Sequence, residues 1–234
     1  MSQKIKYPYL KSKDIELKTL QLLKDFNKAN NRSLTAPSPI FDLIEFLGYD
    51  IDFRSDGIYE DNEILGGTHI REKIVEINEN ISNHEGRMHF TAAHEIGHII
   101  LHAPYVEKIN HDKNAEKIIS RKDAGFEGNN KEPEEWQADK FASFLLMPSQ
   151  LVKKAYFGKY KKPINVRKKR LIEFIFPKST IVKGYSIAES ILNEGNFSNV
   201  SKMAMLNRLI GMRLVWGLSY QKASPRNKKR RKHD

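Results

Sequence analysis

The feature that most constrains this chain is His94-Glu95-Ile96-Gly97-His98, set inside a run that reads as one long helix. Two histidines four residues apart on a helix share a face, one turn apart, so their ring nitrogens can meet a single ion. Glu95, beside the first histidine, can reach a water on that ion without being a ligand. Zinc lowers the pKa of such a water towards ~7 and polarises a carbonyl, and a neighbouring carboxylate takes the proton as the water attacks. The surroundings suit a packed helix: Phe90, Ala92, Ala93, Ile96, Ile99 and Ile100 are apolar, and small Ala93 and Gly97 let another element approach closely. A glycine inside a helix costs about 1 kcal/mol against alanine, so Gly97 asks for a packing reason. The plainer alternative is a buried helix with two hydrogen-bonded histidines.

A zinc site needs a third protein ligand, with water in the fourth position. The chain has no cysteine. Thiolate ligands, disulfides and a cysteine nucleophile are therefore excluded, and a metal must be held by His, Asp or Glu. The segment Glu134-Glu135-Trp136-Gln137-Ala138-Asp139 offers the missing group. Glu135 and Asp139 stand four residues apart on one helical face, with Ala138 and Ala142 beside them. A carboxylate at Glu135 closes the site at three ligands. Asp139 is placed to accept a hydrogen bond from the far nitrogen of a ligand histidine, which fixes the ring and raises its basicity. The opposite register is expected to bury Trp136, Phe144 and part of Phe141. Glu132 and Glu134 read as ordinary acidic residues of a first helical turn.

The other histidines carry less. His102 follows His98 by four residues, but on the drifting edge of the face, so a core or surface histidine is expected rather than a ligand. His69, on a strand, is placed to line the cleft. His84, His89, His111 and His233 have no pattern behind them. There is neither a glycine-rich phosphate loop nor a serine nucleophile elbow.

Residues 14–30 read as an amphipathic helix. Pro37-Ser38-Pro39 opens a second, short helix that Gly48 is placed to end. Tyr49, Ile51 and Phe53 alternate with acidic residues as in a strand. Residues 64–70 and 73–78 read as a hairpin turning near Arg71-Glu72. A small mixed or antiparallel sheet follows from this. Ser82 or Asn83 can cap the metal helix, with Glu85 in its first turn. That helix is expected to end at about His102, stopped by Pro104. Residues 106–132 are polar and poorly patterned. Pro133 suits the first turn of the helix over residues 134–147. A basic helical stretch (150–175) and two shorter helices (about 181–194 and 199–216) follow.

The chain has 234 residues, enough for one domain with a small appendage. Its net charge is +11, of which +6 sits in residues 221–234 with seven Lys/Arg and one Asp. The block Lys228-Lys229-Arg230-Arg231-Lys232 reads as a disordered tail, either merely solvated or in weak, sequence-independent contact with nucleic-acid phosphates. The N-terminus carries no apolar stretch of the signal-peptide kind, and no run approaches the ~20 apolar residues of a membrane span. The expectation is a cytoplasmic protein with no membrane partner.

Two stretches resemble the ImmA/IrrE family of bacterial metallopeptidases: residues 88–102, which include Phe90-Thr91-Ala92-Ala93-His94-Glu95-Ile96-Gly97-His98, and residues 135–148, which run from Glu135 to Leu145-Leu146-Met147-Pro148. The family pattern is close to F-T-x-A-H-E-x-G-H-x-x-L-H, then E-x-x-A-[ND]-x-F-A-x-x-L-L-M-P. Phe144 departs from it, standing where a small or polar residue is commoner. The likeness extends forward over the short helix and the hairpin, and more weakly to residues 199–209. It implies an α+β fold of the zincin type, with the small sheet packed on the HExxH helix. Residues 1–148 would form the metallopeptidase domain, 149–220 a C-terminal helical segment resembling a helix-turn-helix, and 221–234 the basic tail. The resemblance also implies His94, His98 and Glu135 as ligands of one Zn2+ per chain, with Glu95 as general base. Another divalent ion such as Mn2+ suits the same donors. The implied substrate is a DNA-binding repressor protein, cut to switch on genes of a mobile element or stress response. The alternative is a non-catalytic regulator that binds a repressor or DNA through the same fold and the basic C-terminus.

Overall fold

The computed structural model describes residues 7–58, 63–81, 84–109, 117–119, 132–167 and 179–218. Ser82, Asn83, His111, His233, residues 168–178 and the basic tail lie outside these. The first helix, α1 (Ser12–Ala29), buries Ile15, Leu22, Leu23 and Phe26 on one stripe, as its apolar spacing predicts. The second, α2 (Ile40–Phe46), ends as expected at Gly48, whose φ of 78° only glycine adopts cheaply. Gly48 N–H donates to Glu45 O and Tyr49 N–H to Ile44 O, so the last carbonyls of α2 are satisfied by the turn itself.

Four strands form one sheet: β1 (Asp50–Arg54), β2 (Gly66–His69), β3 (Ile74–Asn78) and β4 (Lys117–Ile119). Their order is β1-β3-β2-β4. The expected hairpin is present, with Gly66 opposite Ile77 and His69 opposite Ile74. β1 runs parallel to β3, and β2 is antiparallel to both of its neighbours, so the sheet is mixed. β4 falls in the stretch that has no clear pattern in the sequence.

The helix of His94 and His98 is α3 (Glu85–Leu101), followed after His102 by α4 (Ala103–Ile109). Pro104 does not stop helical structure here. It sits in the first turn of α4, where its missing N–H is not needed. Then come α5 (Pro133–Leu146), with Pro133 in its first turn, and α6 (Ser149–Lys159). The helix expected to reach residue 175 stops at Lys159 and gives way to β5 (Ile164–Asn165). The helices α7 (Thr180–Glu194) and α8 (Lys202–Gly211) follow, and β6 (Val215–Trp216) closes the order by pairing parallel with β5. Ser179 and Ser201 cap α7 and α8, accepting from Val182 N–H and Ala204 N–H. The protein is thus α+β, with a small mixed sheet and eight α-helices among the described residues. None of these helices is long and apolar enough to cross a membrane.

One hydrophobic core runs from α1 and α2 through the sheet, α3 and α5 to α6, α7 and α8. Polar contacts tie its two ends. Ser38 Oγ donates to Leu145 O at 2.6 Å, and Asn199 Nδ2 donates to Ser38 O at 3.1 Å. Arg208 donates to Met147 O at 3.0 Å and to Glu16 at 2.8 Å. Its guanidinium also lies 4.5 Å over the ring of Phe144, which gives that residue a specific partner. Phe141 and Phe144 are buried as expected, but Trp136 is only half-buried and stacks on Tyr9 instead.

Candidate metal centre

Two helices make the site. α3 and α5 pack face to face, antiparallel, with Gly97 against Ala138. A Cβ on Gly97 would stand 3.0 Å from the Cα of Ala138 and 3.2 Å from its carbonyl oxygen. This is the packing reason for a glycine inside α3. The close approach puts His94 level with Asp139 and His98 level with Glu135.

The donor atoms then converge. His94 Nε2 and His98 Nε2 are 3.0 Å apart. Glu135 Oε2 is 3.2 Å from the first and Glu135 Oε1 3.2 Å from the second. One ligand atom from each of the three residues falls within 4.8 Å of the others, the geometry of a group that can hold a metal ion. Zinc with bonds of 2.0–2.1 Å in tetrahedral coordination has ligands about 3.3 Å apart, so the triangle fits it. The donor set of two imidazoles and a carboxylate suits zinc and other first-row divalent ions.

The electrostatics agree. Burial alone would lower the pKa of His94, but hydrogen bonds to Asp139 and Glu135 outweigh it and hold the ring up to about 9. Burial would raise Glu135, yet its contacts with His94 and His98 bring it well below the usual carboxylate range. The cluster keeps its carboxylate ionised. His94 and His98 are sealed in the interior, whereas the side chains of Glu135 and Asp139 are 25% and 22% exposed, so solvent reaches the cluster from the α5 side. His94 Nδ1 donates to Asp139 Oδ1 at 3.0 Å, in the arrangement expected from sequence.

Glu95 lies beneath β2. Thr68 Oγ1 donates to Glu95 Oε2 at 2.8 Å. Gly66 makes room for the carboxylate, since a Cβ there would come within 2.8 Å of Glu95 Oε1 and 2.6 Å of Thr91 Cγ2. Glu95 is wholly buried, and Oε1 is left without a hydrogen bond among the described residues. Burial raises its pKa, partly offset by His98, His94 and Thr68. A carboxylate with one oxygen held and the other unmet, beside a cluster that attracts cations, is equipped to take and release a proton.

Residues 52–163 match the family model described as Peptidase M78, IrrE N-terminal-like domain. All five residues singled out from the sequence, His94, Glu95, His98, Glu135 and Asp139, fall inside this IrrE N-terminal-like stretch. The match bears out the resemblance to the ImmA/IrrE family. No curated protein matches the chain.

Two residues at the site, Thr68 and Gly66, are silent in the sequence. Thr68 and Gly66 have no motif to announce them, because their role comes from strand β2 crossing Glu95. His102 does have a signal, the same four-residue spacing that links His94 to His98. It is buried, and its Nδ1 faces His98 Nδ1 at 3.0 Å. Burial, together with neighbouring His98, pushes the pKa of His102 down to about 3, so the ring is neutral. His69 sits at the far end of β2, with its ring nitrogens 3.0 Å from a Glu72 carboxylate oxygen and 2.9 Å from one of Glu76.

Proposed function

We propose that this chain is a zinc-dependent metalloendopeptidase in which His94, His98 and Glu135 hold one Zn2+ and Glu95 is the general base. The observation that carries this reading is the triangle of donor atoms with a buried, proton-seeking carboxylate fixed beside it. When bound, the ion supplies Lewis acidity that acidifies a water and polarises the scissile carbonyl. The remaining work belongs to the chain's own residues. Thr68 holds Glu95 Oε2 and leaves Oε1 to take the proton of the attacking water. The raised pKa lets Glu95 keep that proton long enough to pass it to the leaving amine. Asp139 holds the hydrogen of His94 on Nδ1 and so turns the Nε2 lone pair towards the cluster.

For the substrate we propose a DNA-binding repressor in the cytoplasm, cleaved to derepress genes of a mobile element or stress response. The resemblance of residues 88–102 and 135–148 to the ImmA/IrrE family supports this. Elemental analysis of the wild type and of Glu135→Ala, followed by cleavage of a purified repressor by the wild type and by Glu95→Gln, tests both parts. The expected result is about one zinc per wild-type chain, its loss in Glu135→Ala, and cleavage abolished in a zinc-loaded Glu95→Gln protein. A wild type that binds no divalent metal, or a Glu95→Gln variant that still cuts, overturns the mechanism.

A further inference from the structure

Two imidazole nitrogens, His98 Nδ1 and His102 Nδ1, face each other at 3.0 Å in the interior. Where no ion lies between them, nitrogens at that separation share one hydrogen, because two would collide and none would leave opposed lone pairs. His98 turns its other nitrogen, Nε2, to His94 and Glu135. A ligand histidine needs its lone pair there, so the shared hydrogen sits on His98 Nδ1 and His102 Nδ1 accepts it. Neutral His102 then carries its own hydrogen on Nε2.

Beyond His102 stands Gln137 of α5, also buried and near enough to act on the imidazole. Gln137 Nε2 donates to Pro8 O at 3.1 Å. Neither His102 Nε2 nor Gln137 Oε1 has a hydrogen-bond partner among the described residues. One is a donor and the other an acceptor, so each is the partner the other needs. The ring of Tyr7 packs on His102 with centroids 4.7 Å apart, which keeps the imidazole in place.

We propose that His102 and Gln137 form a hydrogen-bond relay that fixes the tautomer and ring plane of His98, as Asp139 does for His94. This rests on the metal-centre reading above and extends it to two positioning residues that are neither ligands nor base. The two ligand histidines are thereby steered differently: His94 by an anionic acceptor near solvent, His98 by a neutral one deep in the core. The relay ends on the backbone of Pro8, so the chain ahead of α1 is its anchor.

The relay and mere space-filling under Tyr7 predict different zinc affinities. Competition against a chelator, on the full-length chain, compares the wild type with His102→Leu, His102→Gln and Gln137→Leu. The absorption spectrum of the cobalt-substituted proteins reads the ligand geometry directly, and melting of the metal-free proteins controls for packing. His102→Leu is expected to weaken zinc by about 10–100-fold and to alter the cobalt spectrum. His102→Gln, whose amide oxygen can accept from His98 Nδ1, is expected to recover most of the affinity. Wild-type affinity in His102→Leu, or equal losses in His102→Leu and His102→Gln, overturns the relay. If His102→Leu fails to fold, Gln137→Leu decides, because the contacts of its side chain are with His102 and Pro8 O and not with a ligand. A several-fold loss supports the relay, and an unchanged affinity overturns it. A wild type that binds no zinc overturns the metal-centre reading itself, and the relay with it.

Discussion

Asp139 Oδ1 accepts from His94 Nδ1 at 3.0 Å, and this contact decides which nitrogen of His94 faces Glu135. Removing it frees the ring to rotate and to carry its hydrogen on either nitrogen. Asp139→Ala should therefore weaken zinc binding by about 10–100-fold with little effect on the melting of the metal-free protein. Chelator competition measures the first and thermal denaturation the second. Unchanged zinc affinity would make the contact incidental.

Thr68 and Glu95 form a second such pair, in which a hydroxyl holds a wholly buried carboxylate. Thr68→Val keeps the shape of the side chain and removes the donor. An unpaired buried acceptor costs about 1–3 kcal/mol, so the denaturation midpoint should fall by that equivalent. Peptidase turnover should fall as well, while zinc per chain stays at the wild-type value. A variant that keeps full turnover would show that Glu95 does not depend on Thr68.

Gly97 sets the distance between the two helices that carry the ligands. Gly97→Ala places a Cβ about 3 Å from the Ala138 backbone, which has no flexible end to move aside. Overpacking of this kind costs roughly 1–3 kcal/mol. The variant should lose stability by that amount and also bind zinc more weakly, because Glu135 moves away with α5. A stability loss with zinc affinity intact would mean that the helices part without disturbing the donors.

How much of this was legible beforehand differs from residue to residue. The helix of His94 and His98 and the helix of Glu135 and Asp139 announce themselves, since ligand spacing and apolar spacing obey the same helical period. The pairing of β2 with β3 is legible too, from alternating residues about a short turn. The parallel pairing of β1 with β3 is not, because register between strands separated by a hairpin depends on what packs beneath them. Thr68 is invisible for the same reason, as its meaning lies in where β2 crosses α3. Pro104 misleads because a proline that ends one helix can equally begin the next. His102 lay within reach, but its spacing alone does not distinguish a core histidine from one bonded to a ligand. Trp136 was expected in the core and instead pairs with Tyr9, a contact between residues too distant in sequence for periodicity to reveal.

The C-terminal helices share their core with α3 and α5. Val152, Tyr156, Leu206 and Leu209 are buried in the same cluster as Ile96 and Phe141. Arg208 reaches back to Glu16 and Met147 O. A chain ending at Pro148 would expose this apolar surface, at about 1.5–3 kcal/mol for each large side chain. It should be unfolded or aggregated by circular dichroism and light scattering. A well-folded fragment would show that the first 148 residues hold their structure alone.

Tyr156 gives the protein an alkaline limit. Burial first, and neighbouring Tyr160 second, push its phenol up to about 12. The hydroxyl donates to Leu214 O at 2.9 Å. An unfolded chain ionises tyrosine near pH 10, so the stability gained by keeping this phenol neutral is complete below about pH 10. It drains away as pH rises to about 12. The difference in stability between the wild type and Tyr156→Phe should be constant up to about pH 10 and shrink above it. A difference that does not change between pH 9 and 12 would contradict the assignment.

The donors of the centre ride on α3 and α5, and among the described residues none comes from the stretch that joins these two helices in sequence. Insertions or substitutions there leave the spacing of the ligands to the Gly97–Ala138 contact. Yet β4, within that same stretch, lies beside β2 and so reaches the neighbourhood of Thr68 and Glu95. Changes in β4 can therefore alter what lies beside Thr68 while α3 and α5 keep the donor triangle in place.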